Sequence, residues 1–243
     1  MNTSVAPGRG PRPGLVVMIA LGLLGAASGT LIGPIGIVVA AAVGLLWGAI
    51  LTLAAGRLSR SEPRRHAWAN GVVFATVVIA GVLSGSALSN LLLMSAALVE
   101  APQFFADLVR PPIGEAEMLP FFLLNTPMEW LLIPGVVLLT WPLPRQRRLA
   151  LTALAIFVCS RIWTYVYFVP QIFGWAEGPA GAPLTPDQLD QAQLWVQLSW
   201  VRLATDLATL ALVLRAAFIS GDVAPSGRAV PTAPSSRPVD QGA

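Results

Sequence analysis

The chain has 243 residues, of which 55% are hydrophobic and only 11% are charged, whereas a soluble domain carries about 25% charged residues. A water-soluble fold cannot hide so much apolar surface, so the composition indicates an all-α integral membrane protein with the lipid bilayer as its solvent. A net charge of +3 spread over short loops makes no basic stripe, which argues against nucleic acid as a partner despite a pI near 10.

The first apolar segment, residues 15–58, contains one Arg near its end. At ~1.5 Å per residue it is roughly twice as long as the ~30 Å hydrocarbon core, so we expect it to fold back at Gly33-Pro34. Small residues recur along this hairpin at close spacing: Gly25, Gly29, Gly33, Gly36, Ala40, Gly44 and Gly48. Such stripes let helices approach closely in lipid, which predicts packing within the hairpin or, alternatively, a homo-oligomer contact or a pore lining.

Four further apolar runs each fit one span with some tilt: residues 72–99, 119–141, 149–173 and 192–214. Arginines gather before the first span, in alternate connections and after the last span: Arg9, Arg12, Arg57, Arg60, Arg64, Arg65, Arg145, Arg147, Arg148, Arg215, Arg228 and Arg237. The intervening connections hold Arg110 among mostly acidic residues: Glu100, Asp107, Glu115, Glu117, Glu177, Asp187 and Asp190. The positive-inside rule therefore predicts about six transmembrane helices with both termini cytoplasmic.

The start of the chain allows a second interpretation. Arg9 and Arg12, the apolar run 15–27 and the small residues after it also fit a signal peptide, whose removal would leave about five spans. The abundance of Ala, Gly and Pro, with Arg but no Lys, is typical of a high-GC bacterium. We therefore expect a multi-pass protein of the cell membrane, in a bacterial inner membrane.

The predicted organisation has five parts. They are a cytoplasmic tail 1–14, the glycine-rich hairpin 15–58, a basic cytoplasmic connector 59–69, a four-helix membrane core 70–218 and a cytoplasmic tail 219–243. The last is rich in Pro, Ser and Gly and is predicted to be disordered. After the third span, Phe104, Phe105, Leu108 and Val109 share one side of a short predicted helix, which indicates an element on the bilayer surface or a loop held by apolar contacts.

Four charged residues lie inside the predicted spans of the core: Glu129, Arg161, Arg202 and Asp206. Charges within lipid are costly and usually pair or line a functional cavity. These four sum to zero, as mutual pairing requires. Trp195, Ser199, Arg202, Asp206 and Thr209 form one helical stripe expected to face the bundle interior, whereas Trp200 falls outside it.

Other polar and aromatic residues recur on the same spans. Asn125 precedes Glu129 by one turn, Tyr165 follows Arg161 by one turn, and Asn90 lies towards the end of the third span. With Trp195 and Ser199, and with Trp130 and Trp163 as further walls, they predict a buried cluster. The cluster is either a salt-bridge network that locks the fold or a site that holds an anion on Arg and a ring on Trp.

The sequence contains few residues that could bind a metal and no recognisable cofactor-binding motif. One Cys and one His exclude a disulfide, a thiolate cluster, a multi-histidine metal site and bis-histidine haem within the chain. Phosphate-binding and dinucleotide motifs are absent, so we expect no metal and no cofactor. Cys159 lies in an apolar run, and we interpret His66 as an interfacial residue.

The segment Arg161-Ile-Trp-Thr-Tyr-Val-Tyr-Phe-Val-Pro170, an acidic loop, and then Trp195, Ser199, Arg202 and Asp206 resemble part of a known family. They are similar to the C-terminal half of small four-helix anthrone oxygenase-like membrane proteins. The resemblance covers roughly residues 70–218 and is closest over 161–206. The N-terminal hairpin departs from the family's four spans, and Ser199 stands where the family has Asn.

The resemblance implies oxidation of an aromatic carbon by oxygen without metal or flavin. Glu129 or Asp206 would act as the base, and Arg161 or Arg202 would stabilise the enolate. Two other classes stay open on the residues alone: a transporter or channel with the charges along its path, and a non-catalytic partner in a membrane assembly. An inverted repeat, which many transporters have, is not visible between the halves.

Overall fold

A computed structural model describes residues 12–179 and 181–219, and only the backbone of residues 115–118 and 120. The tails up to residue 11 and from residue 220, with Arg9, Arg228 and Arg237, lie outside the described residues. Regular structure in the described part is helical throughout. The all-α prediction is therefore confirmed for this part of the chain.

The helices follow the predicted order along the chain. They are α1 (Pro13–Gly29), α2 (Pro34–Leu58), α3 (Glu62–Glu100), α4 (Pro102–Val109), α5 (residues 113–140), α6 (Pro144–Ala176) and α7 (Pro186–Ile219). A proline opens most of them, because its ring presets φ and the first-turn N–H has no helical partner. Four described segments are long and apolar enough to cross a membrane: Pro34–Leu58, Glu62–Glu100, Phe121–Thr140 and Pro144–Ala176.

The first hairpin is built on the predicted glycine stripe. Its turn lies where expected, since α1 ends at Gly29, α2 begins at Pro34, and Gly33 has φ 104°. A Cβ on Gly29 would lie 2.5 Å from the carbonyl oxygen of Gly36, and one on Gly25 would collide with the carbonyl of Ala40. The stripe thus permits backbone-to-backbone packing within the hairpin.

The other long helices form a four-helix bundle. Helix α3 packs on α5 and α7, and α6 packs on the same two helices. Helix α1 packs on α5 and α6, where Val17 and Leu21 join a buried apolar cluster with Val136 and Phe157. The hairpin therefore shares its core with the bundle through α1.

A second buried cluster closes the opposite end of the bundle. It contains Phe105 and Leu108 of α4 together with Leu91, Trp175 and Trp195. The predicted short helix exists, but its apolar side packs on the bundle, and of the four residues used to predict it only Phe104 is exposed. We call this the α4 end.

Helices α5 and α6 each contain one π-helical turn, Met128–Leu132 and Thr164–Phe168. Each turn is followed by an aliphatic residue and a proline, Pro134 in α5 and Pro170 in α6. A proline has no N–H and its ring clashes with the carbonyl four residues earlier, and a π turn widens the helix at that carbonyl. Both turns lie beside the charged residues described next.

Candidate functional site

A cavity of about 190 Å³ lies inside the bundle towards the α4 end. Its wall is mostly apolar and includes Leu83, Leu91, Met94, Leu108, Val109, Phe121, Val169 and Ile172. A cavity of about 150 Å³ can hold benzene. This cavity is larger, and an aromatic ligand fits inside.

Arg161 joins two carboxylates at the wall of this cavity. Its Nε lies 3.3 Å from Oε1 of Glu129, and its Nη2 lies 3.7 Å from Oδ1 of Asp206. Glu129 is 2% exposed and Arg161 is 8% exposed. The first contact is a charge pair rather than an aligned hydrogen bond, because Nε has no hydrogen-bond acceptor among the described residues. Tyr165 completes the group by donating its hydroxyl to Oε2 of Glu129 at 2.8 Å.

Arg202 has a different environment, although it lines the same cavity. Its Cζ lies 4.7 Å from the centroid of the Phe168 ring and 5.8 Å from that of Trp195. Within the described residues it makes no ion pair; Asp206, one turn along the same helix, lies near it but pairs with Arg161. Cation–π contacts hold a guanidinium in place without neutralising its charge.

Two neutral polar groups in the wall also lack partners. The amide oxygen of Asn125 and the hydroxyl of Ser199 are buried, and neither has a hydrogen bond within the part of the chain that the structure describes. Buried polar groups are nearly always hydrogen-bonded, so such exceptions call for an explanation. Both residues line the cavity, where a ligand can supply the missing hydrogen bonds.

The π turns place these side chains. Glu129 is the second residue of the turn in α5, and Tyr165 is the second residue of the turn in α6. The hydrogen bond between them therefore joins the two distorted turns across the bundle. π turns are frequent at functional sites because they rotate side chains out of the regular helical register.

Most of the residues predicted from sequence meet at this cavity. Those that line it are Asn90, Asn125, Glu129, Arg161, Tyr165, Trp195, Ser199, Arg202 and Asp206. Trp130 and Trp163, which were predicted as further walls, are not among the residues that line it. The carbonyl of Trp130 accepts a hydrogen bond from the Trp47 indole at 2.7 Å. The Trp163 ring packs edge-on against Phe168, with 5.0 Å between the ring centroids.

Sequence reasoning missed part of the wall. Leu108 and Val109 come from α4, which was predicted as an element on the bilayer surface or a loop held by apolar contacts and not as part of the site. Phe168, which packs on Arg202, was not singled out because nothing in its spacing separates it from its aromatic neighbours. Pro134 and Pro170 were the available signal for distorted turns.

Among the described residues, no group of three His, Cys, Asp or Glu side chains is placed to hold a metal ion. No family model, curated protein or solved structure matches this chain. The function is therefore argued from the cavity and its residues.

Proposed function

We propose that this chain is an integral protein of a bacterial inner membrane, with about six spans and both termini cytoplasmic. Helix α2 supports a lipid environment, because Ile35, Val38 and Leu53 are more than half exposed along it. Arginines cluster around the α2–α3 connection and in the first turns of α6, and the α4 end lies opposite them. Since the glycine stripe is used within the hairpin, a homo-oligomer formed through the hairpin would use this exposed face of α2.

We further propose that the cavity binds a hydrophobic, weakly acidic aromatic small molecule. The observation that carries this proposal is the state of Arg202, a cation at the cavity wall that packs on two aromatic rings and has no ion-pair partner among the described residues. An acidic oxygen of the ligand would pair with this guanidinium. The ring would lie against Trp195 and the aliphatic wall.

Two apolar clusters favour a closed binding site and argue against a channel. One fills the bundle on the arginine side of the cavity, around Val136 and Phe157. The other fills the α4 end, around Phe105 and Trp175. A continuous aqueous path along the bundle axis would have to pass through both of them.

The ligand preference can be tested with a matched pair of probes. We expect purified protein in lipid nanodiscs to bind 1-naphthol at least about tenfold more tightly than naphthalene, because only the former offers an acidic oxygen to Arg202. Binding would be followed by fluorescence titration, with empty nanodiscs as the blank for partitioning into lipid. Equal affinities after subtraction of that blank would contradict the proposal.

Oxidation of the bound molecule is the finer part of the proposal, and it rests on the anthrone oxygenase-like resemblance. Glu129 would accept a proton from the activated ring carbon, and Arg202 would hold the enolate oxygen. Oxygen then adds at that carbon, leaving one atom as a quinone carbonyl and the other as water. Arg161 is less suited to the enolate because it already bridges Glu129 and Asp206.

This reaction would be measured as oxygen uptake with anthrone. We expect uptake above the spontaneous rate for the wild type and only the spontaneous rate for Glu129→Gln, whose amide cannot accept the proton. A wild-type rate no higher than that of empty nanodiscs would exclude the oxidation and leave the binding proposal standing.

A further inference from the structure

We infer that the cavity opens sideways into the lipid, between α5 and α6 near the α4 end, and takes its ligand from the bilayer. This inference rests on the proposed binding function and narrows its ligand class to amphiphiles that dissolve in the membrane. Three features of the structure carry it: the closed α4 end, the separation of α5 from α6, and the chemistry of the edges of the opening.

Helix α4 closes the end of the cavity that would otherwise reach water. Leu108 and Val109 form part of the cavity wall and are buried. Arg110, 3% exposed, ties this helix down by donating to the carbonyls of Trp175, at 3.3 Å, and Ala182. A buried guanidinium that holds two backbone carbonyls makes α4 a fixed cap.

Helices α5 and α6 diverge beside the cavity. Residues 133–140 of α5 pack on residues 144–163 of α6, whereas residues 113–127 of α5 pack on α3 and α4. The hydrogen bond between Tyr165 and Glu129 joins the helices at the point where they separate. Beyond that point the two edges of the gap belong to the cavity wall, with Phe122 and Thr126 on α5 and Val169 on α6.

The edges of this gap are mostly apolar. Phe122 on the α5 edge is 55% exposed, Val169 on the α6 edge is half-buried, and the Thr126 hydroxyl donates to the carbonyl of Phe122. In a bilayer these side chains contact acyl chains, and a hydrated ion finds no hydrogen bonds there to replace its water. A ring with one weakly acidic group can pass in its neutral form, and Arg202 then meets its oxygen inside.

The route can be tested with thiol reagents, without any knowledge of the natural ligand. Leu91, which is buried at the cavity wall, is changed to Cys in a Cys159→Ser background that removes the exposed native thiol. In liposomes we expect lipid-soluble N-phenylmaleimide to label Leu91→Cys. The membrane-impermeant sulfonatoethyl methanethiosulfonate should label it at least about tenfold more slowly, after each rate is divided by that for a free thiol.

Matched tryptophan substitutions then locate the opening. Thr126→Trp fills the α5 edge and should slow N-phenylmaleimide by about tenfold or more. Leu123→Trp, on the same helix, 65% exposed and outside the cavity wall, should leave the rate unchanged. Val169→Trp fills the opposite edge and replaces Thr126→Trp if that variant does not fold, as judged by size-exclusion chromatography.

Two results would overturn the inference. One is labelling of Leu91→Cys by the charged reagent as fast as by N-phenylmaleimide, which would mean access from water. The other is an equal rate for the edge variants and Leu123→Trp, which would place the route elsewhere. Neither readout involves naphthol or anthrone, so a failure of the ligand proposal would leave the result on the route intact.

Discussion

Arg161→Gln is expected to lower the free energy of unfolding by about 3–5 kcal/mol, the usual cost of removing one partner of a buried ion pair. The change leaves Glu129 and Asp206 facing each other without the cation that lies between them at 3.3 and 3.7 Å. The measurement is chemical or thermal unfolding of the purified protein in detergent micelles, followed by circular dichroism.

A triple variant that removes all three charges distinguishes an effect of unpaired charge from an effect of packing. The triple change Glu129→Gln, Arg161→Gln and Asp206→Asn removes all three charges while keeping similar shapes, so we expect it to recover most of the lost stability. Recovery would show that the single variant fails because carboxylates are left unpaired. A triple variant as unstable as Arg161→Gln would mean that Arg161 acts through packing, for instance its contact with Phe157, rather than through charge.

Arg202→Gln, unlike Arg161→Gln, is expected to weaken ligand binding without lowering stability. Binding of 1-naphthol should weaken by roughly 10- to 100-fold, since a hydrogen bond to a charged group contributes about 1.5–3 kcal/mol. The melting temperature should be unchanged or higher, because the substitution removes a half-buried cation with no ion-pair partner among the described residues. The combination of lost binding and retained stability distinguishes a ligand-binding residue from a structural one.

Arg202→Lys serves as the control for charge alone. Lysine keeps the positive charge but lacks the planar group that lies against Phe168 and Trp195. We expect it to bind 1-naphthol more tightly than Arg202→Gln and more weakly than the wild type. If naphthol binds equally well to all three proteins, Arg202 does not hold the acidic oxygen and the proposed ligand class is wrong.

The difference between the two arginines could not be obtained from their positions in the sequence. Both lie on predicted spans, and the spacing of Arg202 and Asp206 on one helix favours a direct pair. In the structure Asp206 pairs instead with Arg161 of another helix, and Arg202 packs on aromatic rings. Which of two equivalent cations takes a carboxylate depends on how α6 and α7 are rotated against each other, and this rotation is a property of packing.

The position of Trp130 also depended on packing. Neighbouring residues on a helix do not share a face, so the side chain next to Glu129 could line the cavity only at its margin. In the structure Trp130 lies beside α2 instead, next to Leu46 and Ile50, and its carbonyl accepts a hydrogen bond from the Trp47 indole. Pro134 marks a distorted turn in α5, but a proline inside a span does not reveal which way the side chains point.

The sequence by itself determined the helical class, the four segments apolar enough to cross a membrane, the hairpin turn at Gly33-Pro34 and the set of polar residues that meet inside the bundle. These follow from local rules, since apolar length, glycine and proline positions, and the cost of charge in lipid act on each helix separately. Only the tertiary structure decided the ion pairs, the cap formed by α4 and the gap between α5 and α6. Each of these depends on the rotation and tilt of one helix against another, which are set by contacts between residues far apart in the chain.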